Sequence, residues 1–226
     1  MCDARYCLTI VDVGAAGRES DGGIFSRSQF GKRFISNNLD FPNKAKLPGT
    51  DIEVPHLCVA DAAFPMRPNL LKPYGGKRLT KKQMIFNYRL SRSRRCIENC
   101  FGIMAARWRF LRRPAIASPD RVESFVRAAC VLHNYLQLGE DTLPDEQRLY
   151  CPSGFADTYA SNGSLIPGQW RADDPSMFQT VALTNAPCNR YGSAASKIRD
   201  TLADYFVSDA GSVNWQDRLV FATGTE

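Results

Sequence analysis

Apolar side chains recur along this chain in two rhythms, and the switches between them mark out its elements. Tyr6 to Val11 (Tyr-Cys-Leu-Thr-Ile-Val) is a short run rich in β-branched and aromatic residues, which predicts a buried strand. Asp12 ends it, and a turn-rich stretch runs from Gly14 to Gly23. Phe25, Phe30 and Phe34 then fall near helical spacing, with Ser28 and Lys32 polar between them, and predict one short helix over 24–35. Two prolines and a glycine make 37–50 a loop. His56-Leu57-Cys58-Val59-Ala60 is a second short apolar run, and it stops at Asp61. Three prolines and paired glycines across 62–76 predict an irregular connection.

The clearest helix opens at Thr80, where Thr80 and Gln83 form a capping-box pattern. Ile85, Phe86, Leu90, Ile97, Phe101, Met104 and Trp108 give it an apolar stripe, with Gly102 a weak point. Ser118-Pro119 is an N-cap followed by proline at the first helical position. Val122, Phe125, Val126, Ala129, Leu132 and Leu136 supply that helix's buried face, and Gly139 ends it. From Pro144 the chain is rich in Gly, Pro, Ser and Asn, with one more helix predicted over 194–206. The order is strand, helix, loop, strand, long helix, helix, extension: a mixed α/β class with too few strands for a sheet of its own. Residues 1–137 read as one domain and 138–226 as an irregular extension carrying a short helix.

Composition adds little to this picture until charge is placed along the chain. With 44% hydrophobic residues the chain has the material for a core. No apolar run approaches the roughly 20 residues of a membrane span, and Met1-Cys2-Asp3-Ala4-Arg5 does not read as a secretory signal, so an intracellular protein is expected. Eight cysteines show no C-x-x-C spacing and have only His56 and His133 beside them. Reduced thiols are expected, not structural zinc. The net charge is +6, but it is concentrated: between Lys72 and Arg113 there are thirteen Lys/Arg and a single acid, Glu98. Such clustering suits a polyanion, because Lys and Arg release counterions from phosphates; a solvated basic helix face is the alternative.

Two acids stand out by position. Asp61 ends an apolar strand, where a carboxylate projects from a rigid edge. Glu98 lies inside the long helix among the bases. Each has a plain structural explanation: Asp61 as the cap of a loop, Glu98 as the ion-pair partner of Arg94 or Arg95 one turn earlier. Together, in a basic protein, they suit divalent-metal phosphodiester chemistry. Mg²⁺ and Mn²⁺ prefer carboxylate and water ligands, and a pair of such ions about 3.5–4 Å apart activates the attacking oxygen and stabilises the leaving one. Arginines nearby (Arg89, Arg92, Arg94 and Arg95) would hold the nucleic-acid backbone without reading sequence.

These residues also resemble a known family. Cys-Asp-Ala-Arg-Tyr-Cys (2–7), Val-Asp-Val-Gly-Ala-Ala-Gly-Arg-Glu-Ser-Asp-Gly-Gly-Ile-Phe (11–25) and Val-Ala-Asp-Ala-Ala-Phe-Pro-Met (59–66) are similar to successive blocks of the PIF/Harbinger transposase superfamily. So are Phe-Asn-Tyr-Arg-Leu-Ser-Arg-Ser-Arg-Arg-Cys-Ile-Glu-Asn-Cys-Phe-Gly (86–102), Arg107-Trp108-Arg109 and Cys-Val-Leu-His-Asn-Tyr-Leu (130–136). Tyr150-Cys151-Pro152, Trp170-Arg171, Asn189-Arg190 and the tail from Tyr205-Phe206 to Trp215-Gln216 resemble the family's looser C-terminal segment.

The resemblance implies an RNase H-like fold and an Asp-Asp-Glu triad that binds Mg²⁺ or Mn²⁺, with Asp61 matching the second aspartate and Glu98 the glutamate. The first aspartate belongs to a block reading roughly Asp-Gly/Cys-x-His, which this sequence lacks; Asp12 belongs to a later strand in the family's order. The expected fold is therefore an incomplete RNase H-like nuclease domain without its first strands. His133 and Asn134 are expected to pack, not to catalyse. The resemblance further implies DNA as partner, a Myb-like DNA-binding protein beside it, a homodimer as the assembled form, and a nuclear or cytoplasmic location. Three outcomes stay open on these grounds: a metal-dependent nuclease, a non-catalytic DNA- or protein-binding module, and an inert remnant of a mobile element.

Overall fold

The computed structural model describes residues 1–15, 19–172 and 192–221. Cys188, the Asn189-Arg190 pair and residues 16–18 of the block at 11–25 lie outside the described residues. The elements in chain order are α1 (Asp21–Arg27), α2 (Gln29–Ile35), β1 (Ala45–Lys46), β2 (Glu53–Val54), β3 (Cys58–Val59), β4 (Leu70–Leu71), α3 (Lys81–Arg107), α4 (Pro119–Glu140), β5 (Thr158–Tyr159), β6 (Leu165–Ile166), α5 (Ser193–Tyr205) and α6 (Gln216–Phe221). Among the described residues this is a mixed helix and small-sheet fold, with the strands in three two-stranded pairs: β1–β2 antiparallel, β3–β4 parallel and β5–β6 antiparallel.

The chain divides into two compact units, 1–16 with 95–181, and 17–94 with 182–226. The first unit is built on the later part of α3 and on α4. Cys100, Met104, Ala129 and Cys130 form one apolar cluster there, with Leu8, Ile97, Leu111 and Val126 packed on it. Ile103, Tyr150, Phe155, Ala156 and Trp170 form a second. The second unit buries Met66, Leu71, Tyr74, Phe86 and Leu90 against Ala195, Leu202 and Ala203 of α5. A Phe-rich cluster around Phe34, Ala60 and Leu70 completes it.

Several sequence expectations change here. The predicted strand at 6–11 does not form; only an isolated bridge between Cys2 and Leu8 is made. Its hydrogen bonds go elsewhere. The Asn134 side-chain amide accepts from Leu8 N and donates to Leu8 O, both at 2.7 Å, and Thr9 N bonds back to Met1 O. A side chain thus stands where a neighbouring strand would. The predicted helix over 24–35 is two helices. Ser28, extended at φ −62 and ψ 155, closes α1 and caps α2, its hydroxyl donating to Phe25 O and accepting from Gly31 N. The connection at 62–76, read as irregular, contains β4. The two long helices form as expected. Thr80 N bonds Gln83 Oε1 at 2.9 Å, one half of the expected capping box, and Pro119 occupies the first turn of α4.

Candidate active site

Asp61 lies two residues beyond β3, in the second unit. The strand is held by parallel pairing with β4 and by Ala60 N to Leu71 O at 2.9 Å, so the point from which the carboxylate leaves is fixed. Oδ1 accepts from Ala63 N at 2.9 Å, capping the turn that follows. Oδ2 faces the Arg94 guanidinium at 3.9 Å, beyond direct hydrogen-bond range. The side chain keeps 34% of its surface exposed. One oxygen is therefore spent on the backbone and the other stays open to solvent and to a cation.

The turn itself is clamped from two further sides. Lys72, which directly follows β4, is buried at 2% exposure, and its ammonium donates to Ala62 O at 3.1 Å. Gly22 of α1 lies so close that a Cβ there would come within 2.2 Å of Ala63 O. Neither contact was read from the sequence, where Lys72 counted only as one of thirteen bases. The signal available was a charged residue set between Leu70-Leu71 and Pro73-Tyr74, an apolar run in which a lysine is out of place.

Glu98 belongs to the first unit and sits on α3. Its carboxylate is 30% exposed, and Arg95, three residues earlier, approaches it at 3.5 Å. The ion pair expected from the helix spacing is present. Next to it is a buried polar centre that the sequence did not reveal. Asp157, with no side-chain exposure, accepts from Arg171 Nε at 2.8 Å and from Gly168 N at 2.8 Å, and lies 3.4 Å from Arg95 Nη1. Burial alone would push its carboxyl up; Arg171, the Gly168 N–H and Arg95 outweigh that and hold it below the ordinary aspartate value. Asn99, 2% exposed, links this centre to α3. Its amide accepts from Asp157 N and from Trp170 Nε1, and donates to Asp157 O. Glu98 thus stands beside a rigid, fully bonded polar network.

The four arginines expected to hold a nucleic-acid backbone all have partners inside their own unit. Arg89 donates to Gln216 Oε1 at 3.2 Å and lies 4.7 Å over the Phe206 ring. Burial, and then the nearby Arg92 charge, lower its pKa. Arg92 stacks 4.3 Å over Trp215. Arg94 faces Asp61. Arg95 donates to the Tyr159 hydroxyl at 3.0 Å besides its two carboxylates. To take a phosphate, each would exchange an existing contact.

His133 and Asn134 pack against the N-terminal segment. His133 is fully buried. Its Nε2 donates to Tyr6 O at 2.8 Å, which leaves Nδ1 to accept from the Tyr150 hydroxyl at 2.7 Å. The seven described cysteines are free thiols. Among the described residues, no three His, Cys, Asp or Glu side chains gather where they could share a metal ion, and no helix is long and apolar enough to cross a membrane.

Residues 1–134 match the family described as DDE superfamily endonuclease. The chain is also similar to the Arabidopsis thaliana protein named Protein ALP1-like, 30% identical over 131 residues. That overlap is 57% of this chain and 30% of the relative, so the chain spans less than a third of the relative's length. No solved structure matches it.

Proposed function

Because this chain belongs to the DDE superfamily endonucleases, we propose that it is a Harbinger-type nuclease domain of RNase H-like descent, in which Asp61 and Glu98 supply carboxylates to Mg²⁺ or Mn²⁺ for phosphodiester chemistry on DNA. The observation that carries the reading is Asp61: a one-third-exposed carboxylate at a fixed strand end, with one oxygen committed to its turn and the other facing a cation across 3.9 Å.

The donor chemistry fits a hard divalent ion, since both groups offer carboxylate oxygen. Among the described residues the donor number falls short of a full triad. Two carboxylates leave such an ion short of charge and ligands. In this reading the chain holds metal and contacts DNA but does not turn over substrate by itself. Bound metal would supply Lewis acidity at the phosphate. Asp61 and Glu98 would orient it, and Arg94 and Arg95, already beside those carboxylates, would neutralise phosphate charge with Arg89 and Arg92 further along the same helix. DNA as partner, a Myb-like accompanying protein, a homodimeric assembly and a nuclear location belong to the same proposal, by family likeness.

Thermal unfolding with and without Mn²⁺ tests the metal assignment. Because a ligand that binds only the folded state stabilises it by mass action, Mn²⁺ is expected to raise the melting temperature of the native sequence. Asp61→Ala should remove the rise, and Glu98→Gln should reduce it. A melting curve indifferent to Mn²⁺ would sink the assignment.

A further inference from the structure

Outside the carboxylate surroundings, the first unit carries an exposed pair of aromatic rings edged by unengaged cations. Phe110, in the 3₁₀ turn Arg109–Arg112, and Phe125, on α4, stand edge to face with centroids 6.3 Å apart and an interplanar angle of 74°. Yet Phe110 is 38% and Phe125 52% exposed. Two large rings that meet each other and still face water are an unfinished contact, because burying either would be favourable.

The charges around them have one sign of excess. Arg121 lies one turn before Phe125, on the same face of α4. Arg113, in extended conformation, directly follows the 3₁₀ turn that carries Phe110, and Arg109 precedes the ring directly. All three are exposed, and no hydrogen bond or ion pair engages their guanidinium groups among the described residues. The nearby acids are Asp120 and Glu123, and Glu123 is already paired with Arg127. Ile116, fully exposed, is the aliphatic residue of the connecting loop.

We propose that Phe110, Phe125, Arg109, Arg113 and Arg121 form a binding patch for single-stranded or locally unpaired DNA. The rings offer π-faces on which bases stack regardless of sequence, and the guanidinium groups meet the phosphates between them. Duplex DNA keeps its bases stacked inside and would meet only the arginines. The proposal rests on DNA being the ligand of the function proposed above, but not on metal binding or cleavage, so it is tested in EDTA.

The test is fluorescence anisotropy of the full chain with a labelled oligothymidine and with a duplex of equal length, across a salt series. Phe125→Ala is expected to weaken oligothymidine binding roughly tenfold and to leave duplex binding unchanged, while Phe125→Trp keeps single-strand affinity. Arg113→Ala and Arg121→Ala should each flatten the dependence of log affinity on log salt by about 0.7. Phe125 is half exposed, so these variants keep their fold, which equal melting temperatures verify. If Phe110→Ala/Phe125→Ala binds oligothymidine as the native chain does, or the native chain does not bind it, the patch is not a single-strand site; a protein-binding surface would give that result. An Mn²⁺ response that Asp61→Ala removes, together with oligothymidine binding unaltered in Phe110→Ala/Phe125→Ala, would overturn this inference and leave the metal reading standing.

Discussion

Lys72 shows how far one side chain can depart from what its neighbours in sequence suggest. It belongs by composition to a basic run, yet it is buried at 2% exposure and donates to the carbonyl of Ala62, next to Asp61. A buried ammonium persists only where hydrogen bonds offset its desolvation, and this one secures the turn that follows the candidate metal carboxylate. Asp61 was legible because it ends an apolar run; its clamp was not, because the contact closes across the link between β3 and β4, ten residues long in sequence. Lys72→Met keeps most of the side chain's volume but leaves the Ala62 carbonyl without this donor. The expected cost is about 1 kcal/mol, the low end of the penalty for an unsatisfied acceptor because Ala62 is only half-buried, read as a lower denaturation midpoint at unchanged slope. An unshifted midpoint would mean that water or another donor replaces the ammonium.

Among the elements, the long helices and the one strand in the apolar run 56–60 (β3) were readable and the other strands were not, for one physical reason. α3 and α4 each repeat an apolar pattern over many turns, and helical hydrogen bonds close within the segment. The strands are two residues long, and each depends on a partner elsewhere; at residues 6–11 the partner turned out to be the side chain of Asn134. Gly102 makes the same point inside a helix. Propensity marks it as a weak point of α3, and Ala should improve the helix by about 1 kcal/mol. The structure gives the opposite sign: a Cβ at 102 would lie 2.4 Å from the Trp170 ring, which is itself buried and tied to Asn99 at 3.1 Å. Displacing that indole costs roughly 1–3 kcal/mol as overpacking, and strains a bond of the Asn99–Asp157 network. Gly102→Ala should therefore lower the melting temperature and shift Trp fluorescence to the red as the indole moves. A rise in melting temperature would show that the ring relocates without loss. In the later part of α3 the buried positions are Asn99, Cys100 and Gly102 to Ala105, while Phe101, expected in the stripe, is 48% exposed.

For the molecule as a whole, the basic excess is largely spent within the fold. Lys81 and Lys82 pair with Asp217 and Asp204, Arg107 donates to Leu149 O and Tyr150 O, Arg112 to Ala105 O, and Arg89, Arg92 and Arg95 are stacked or bonded as described. The count of charges on a segment therefore overstates what is offered to a polyanion. Where buried ionisable groups are wired into packing, pH becomes a lever on stability. Burial holds the His133 pKa below its ordinary 6.5, a pull only partly opposed by the bond to Tyr6 O. Its neutral form is also built into the geometry: the Tyr150 hydroxyl donates to Nδ1 while accepting from Trp108 Nε1 at 3.3 Å, and a proton on Nδ1 would reverse that chain. The unfolded chain binds this proton more readily than the folded one, so stability is full above about pH 6.5 and declines as pH falls toward the folded value. Asp157, held below its ordinary 3.8 by Arg171, Gly168 N–H and Arg95 against the effect of burial, adds a second loss below that pH. Denaturation midpoints measured from neutral pH downward should therefore fall in two stages. His133→Gln, neutral throughout, is expected to be less stable at neutral pH but flat across the first stage, and to keep the second. If the variant reproduces the native slope below pH 6.5, the first stage belongs to another group.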